Sequence, residues 1–115
     1  MLLKEGDTIF VAHRRLFEKD EVRFFVGRVD AYEGGVVKAT GRSYVRDVMR
    51  GRMIEKEEKR TKILSLSSGT LLVYQLPEAV KVDALKFLDE EGRVSLTDGK
   101  NFTMNLSEHT HGGRA

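Results

Sequence analysis

Cysteine is absent, proline occurs once, and no apolar run approaches the roughly 20 residues a helix needs to cross a bilayer. Without cysteine the chain has no disulfides, thiolate metal sites or cysteine nucleophiles, which excludes a disulfide-stapled secreted fold. Charge of one sign is also scarce. Lys and Arg total 20 against 18 Asp and Glu, and this net +2, with a sequence pI near 9.0, is too small to announce nucleic acid by itself. Met1 to Gly6 lacks the apolar core of a secretory signal, so the expectation is a cytoplasmic protein with no membrane partner. A chain of 115 residues has room for one domain with a modest core, whose small size must be offset by packing or self-association.

What is present is hairpin punctuation. Gly occurs 11 times, mostly between short apolar segments rich in β-branched and aromatic residues. Thr8 to Leu16 and Val22 to Tyr32 read as strands, separated by the polar run Glu18-Lys19-Asp20-Glu21. Glu33-Gly34-Gly35 and Gly41-Arg42 read as turns on either side of a strand over 35–40, with another strand over 43–49. Strands over 62–67 and 70–76 follow, the second ended by Pro77. Asp98-Gly99 is the strongest turn signal, a pair suited to the type I′ turn, and Phe102, Met104 and Leu106 alternate with polar residues beyond it. Residues 81–106 therefore predict a three-stranded meander over 81–88, 93–97 and 100–106. Asp47 to Lys62 has helix-forming residues but no apolar face, so a long hairpin projecting from the body, with Arg50-Gly51-Arg52 at or near its tip, is preferred over a short helix or a loop. The domain runs over 1–106, and the tail over 107–115 has nothing to pack and should be mobile. The expected core includes Phe24, Val26, Val29, Val37, Leu66, Leu72, Leu85, Val94 and Phe102.

Catalytic chemistry has little to stand on. The three His residues are the natural bases to test, but His13 reads as a partly exposed strand residue, and His109 and His111 lie in the tail without a third rigid metal ligand. Glu57-Glu58 and Glu90-Glu91 sit in charged runs, where solvation keeps carboxylates ordinary. No Walker loop, dinucleotide fingerprint or nucleophile elbow occurs, so neither enzyme activity, metal nor cofactor is expected.

The informative cluster is Arg42, Tyr44, Arg46, Arg50 and Arg52. On a strand, Arg42, Tyr44 and Arg46 share one face, where an aromatic could stack on a base while guanidiniums neutralise phosphates. Residues 1–62 hold 15 basic and 11 acidic side chains, and residues 63–115 hold 5 and 7, so the basic excess lies in the half that carries this cluster. The alternative is a solvated hairpin whose Arg and Lys discourage edge-to-edge pairing.

Phe24-Phe25-Val26-Gly27-Arg28-Val29-Asp30-Ala31-Tyr32 with Gly35-Val36-Val37-Lys38-Ala39 resembles the first motif of Sm-like small β-barrels, in which a strand bends at a central Gly. Leu66-Ser67-Ser68-Gly69-Thr70-Leu71-Leu72-Val73-Tyr74 is similar to the second motif, where a Gly precedes a strand used at the subunit contact. The resemblance spans roughly residues 8–76 and is shared with SH3-like barrels. It implies an all-β, antiparallel barrel with a projecting hairpin, extended here by the C-terminal meander. It also implies a homo-oligomer joined through Leu71, Leu72, Val73 and Tyr74. The acidic residue and Asn of the family's RNA pocket do not appear near Ala39 to Tyr44, and Ser68 stands where the family has a basic residue. Ring assembly is thus implied more strongly than an RNA pocket. The combined expectation is a self-assembling barrel that binds RNA or single-stranded DNA, with a protein-binding adaptor as the alternative.

Overall fold

A computed structural model describes residues 3–14, 22–47, 52–56, 58–80, 82–90, 93–100 and 102–106. Nine strands are formed among them and no α-helix: β1 (Thr8–His13), β2 (Arg23–Glu33), β3 (Val36–Asp47), β4 (Arg52–Glu55), β5 (Arg60–Ser65), β6 (Leu71–Gln75), β7 (Lys86–Glu90), β8 (Arg93–Thr97) and β9 (Thr103–Asn105). All pairings are antiparallel. The first six strands make one sheet in the order β4-β3-β2-β1-β6, with β5 lying beside β4 along the same edge of β3, and β7-β8-β9 form a second sheet.

Alternate residues of β1 and β2 are buried on both faces, because each face has its own core. On the inner face Ile9, Val11, Phe25, Val29, Val37, Ala39 and Leu64 cluster with Leu3. Nearly all of them come from one face of one sheet, so the sheet must curl over itself to exclude water from them. On the outer face Phe10, Ala12, Phe24, Val26 and Tyr44 are covered by Leu85, Val94, Leu96 and Leu106 from the meander and its approach.

Two local features make the curl possible. An extra residue in β2, Asp30, shifts the β2–β3 register between Val29 and Ala31, so that Val29 and Tyr32, three apart, both reach the inner cluster. Gly27 and Gly41 face each other across β2 and β3, and a Cβ on Gly41 would stand 1.9 Å from the Val26 carbonyl oxygen. Gly41 is therefore not a turn residue. The two strands expected over 35–40 and 43–49 are one, β3, and its central Gly serves a close approach of backbones. Gly34 and Gly35 do form the turn, both at positive φ.

Other expectations are corrected in the same way. The strand placed at 81–88 begins with a 3-10 turn at Val82–Ala84 and enters the sheet only at Lys86. Asp98-Gly99 does reverse the chain, but not as a two-residue turn: the Asp98 carboxylate accepts from the backbone N–H groups of Lys100 and Phe102, which opens a longer loop. Leu72 is 51% exposed, because β6 is an edge strand and its outer face lies beyond the meander. Leu66 and Phe102 are only part-buried, at the margins of the two clusters. The described part of the β3–β4 hairpin packs against the body, since Met53 and Tyr44 join the outer core. The segment around Arg50-Gly51 and the tail over 107–115 lie outside the described residues.

Candidate functional site

Arg42, Tyr44 and Arg46 do share the outer face of β3, but that face is engaged within the molecule. Tyr44 is 7% exposed, and its ring centroid lies 4.6 Å from that of Phe87. Its phenol is bonded to the Glu55 carboxylate, and burial, then the Glu55 charge, push its pKa up to about 12 against the opposing Arg42. Arg42 forms an ion pair with the same Glu55. The β3–β4 register explains the trio, since it sets Tyr44 opposite Glu55, one strand residue pair from Arg42. Arg46 lies opposite Met53, and its N–H donates to the Val22 carbonyl. Arg52 opens β4 opposite Asp47, the last described pair before the turn and so near the tip as expected, and Arg50 lies outside the described residues. The aromatic expected to stack on a base is thus packed on a protein ring.

Beside this trio a cleft of about 1010 Å³ opens between the outer face and the connection over 76–85. Arg28, Arg42, Asp30, Glu55, Glu78 and Asp83 line it with both signs of charge. Asp30 accepts a hydrogen bond from the Thr40 hydroxyl at 2.6 Å, so the bulge carboxylate is already engaged. Among the described residues no group of three or more His, Asp or Glu side chains is placed to hold a metal ion.

The second candidate is the backbone of the two edge strands. Leu76 N donates to Thr8 O at 2.9 Å and Arg14 N to Thr70 O at 2.7 Å, so the even-numbered residues of β6 bond β1. The N–H and C=O groups of Leu71, Val73 and Gln75 then point away from the sheet. On β5, Leu66 N donates to Gly35 O at 2.8 Å, which turns Thr61, Ile63 and Ser65 outward by the same alternation. Among the described residues neither outer edge has a strand partner, and each carries an exposed apolar side chain, Ile63 at 73% and Leu72 at 51%. Of the residues expected at an oligomer contact, Leu71 and Val73 offer outward backbone, Leu72 is the exposed side chain, and Tyr74 packs into the outer core with its ring centroid 5.9 Å from that of Phe10. The β5 edge was not among the sequence expectations. Its signal is Ile63, which breaks the polar alternation of Thr61, Ile63 and Ser65 on the solvent face.

No protein-family model matches this chain, and neither a characterised protein nor a solved structure matches it.

Proposed function

We propose that this protein is a self-assembling interaction module, in which β6 of one copy adds to β5 of the next. The observation that carries this reading is the pair of open edges, each with three residues whose backbone groups turn outward and each with an exposed apolar side chain. Unpaired strand edges recruit other strands unless they are short, charged or covered. The two edges differ, so the contact is head to tail and repeats into a ring or a filament. Tyr44, packed on Phe87, gives little support to base stacking, so the reading rests on protein contacts and not on nucleic acid.

Sedimentation across a concentration series tests the proposal. The wild type should associate. Val73→Pro, which removes an outward N–H that β1 does not use, should weaken association by more than tenfold, as should Ile63→Lys on the opposite edge. A chain that stays monomeric at its highest soluble concentration, or folded variants that associate like wild type, would overturn it.

A further inference from the structure

The inner face of the curled sheet is apolar at one end and cationic at the other. Period-2 alternation carries this face from Ile9 and Val11 to His13 on β1, and from Val29 and Phe25 to Arg23 on β2. The register that pairs Ala12 with Phe24 sets His13 beside Arg23 at its next step. On β5 the same face runs from Leu64 through Lys62 to Arg60, and the Lys62 ammonium lies 5.0 Å from the centroid of the buried Phe25 ring. Three strands therefore bring basic side chains to one end of this face, beside an aromatic ring and Leu71, the β6 partner of His13.

His13 and Lys62 are half-buried, Arg23 and Arg60 are exposed, and positive charges brought this close oppose one another. Burial, then Lys62 and Arg23, hold His13 below its ordinary pKa, and burial, then Arg23 and Arg60, do the same to Lys62. Arg60 has a carboxylate partner, Glu58, at 3.1 Å, whereas among the described residues no carboxylate acts to raise the pKa of His13 or Lys62. A bound anion would offset this repulsion.

We propose that the mouth formed by His13, Arg23 and Lys62 binds a phosphate group, with Phe25 as its floor. A tetrahedral anion with several oxygens matches donors arriving from three directions better than a flat carboxylate does. The phosphate comes either free or as the phosphodiester of a nucleic acid, and the chemistry of the contact is common to both. This proposal does not depend on strand addition at the edges.

Nuclear magnetic resonance of the His13 ring tests it, with inorganic phosphate, a short oligothymidylate, and chloride at matched ionic strength. Binding should raise the His13 pKa more than chloride does. Lys62→Gln should weaken binding about tenfold or more, the loss of one charge-assisted hydrogen bond. Lys100→Gln, on the exposed loop after Gly99, should bind like wild type. Displacement of the oligonucleotide by phosphate identifies the free ion as a sufficient ligand, and a bound oligonucleotide that phosphate fails to displace identifies the phosphodiester. Equal shifts with chloride, no shift with either ligand, or equal losses in folded Lys62→Gln and Lys100→Gln would each overturn the site.

Discussion

Tyr44 shows how one residue can be spoken for by its neighbours. Its ring completes the contact with Phe87, and its phenol holds Glu55, which in turn holds Arg42. The folded-state pKa of about 12 lies above the ordinary 10.0, so the protonated phenol favours the native state. That contribution is complete below pH 10.0 and is lost as pH rises through about 12. In an absorbance titration of phenolate, one tyrosine should ionise near pH 12 in the folded protein and be missing from Tyr44→Phe. Glu55→Gln should bring that titration down, because it removes the carboxylate charge beside the phenol. A native titration with no such late tyrosine would contradict this account.

Among the elements, β3 carries the most structure, since it pairs with β2 on one edge and with both β4 and β5 on the other. It can do so because Gly41 lets β2 pass close at its centre. The Cβ of an alanine there would meet the Val26 oxygen at 1.9 Å and the Gly27 Cα at 2.4 Å, both backbone atoms that cannot swing aside. Gly41→Ala should therefore destabilise by ~3 kcal/mol or more, the upper end of overpacking effects. Gly34→Ala, in the β2–β3 turn, meets nothing within 4 Å and should lose only the ~1 to 2 kcal/mol of a left-handed conformation. Urea denaturation of both variants measures the contrast, and equal effects would show that the strands can separate at Gly41 without loss.

At the scale of the whole molecule, the two cores are joined by strands that serve both. Phe10 and Phe24 face the meander while Ile9, Val11 and Phe25, their chain neighbours, face the inner cluster. Neither core can lose β1 or β2 without opening the other, so the two should unfold together. Variants retaining only Tyr44, in the outer core, or only Tyr32, beside the inner core, should report the same midpoint by tyrosine fluorescence. Phe24→Ala should lower both midpoints together, by ~3 to 5 kcal/mol in stability. Separate transitions would mean that the meander is a satellite and not part of one cooperative unit.

The all-β class, the hairpin at Gly34-Gly35 and the strand at Arg93–Thr97 are legible in the sequence because each rests on local chemistry, turn glycines and period-2 alternation between near neighbours. The alternation also placed Arg42, Tyr44 and Arg46 on one face, as observed. What lies over that face is not local: only the return of the meander puts Phe87 against Tyr44, and only pairing with β4 gives Arg42 its carboxylate. The same limit explains Gly41, whose role depends on a strand 14 residues earlier crossing at Gly27. It explains Leu72 as well, since an apolar residue reads alike in a central and an edge strand until the order of the sheet is known. His13, Arg23 and Lys62 meet for a reason of this kind: each is an ordinary strand residue in sequence, and only the pairing of β1 with β2 and of β5 with β3 brings them together.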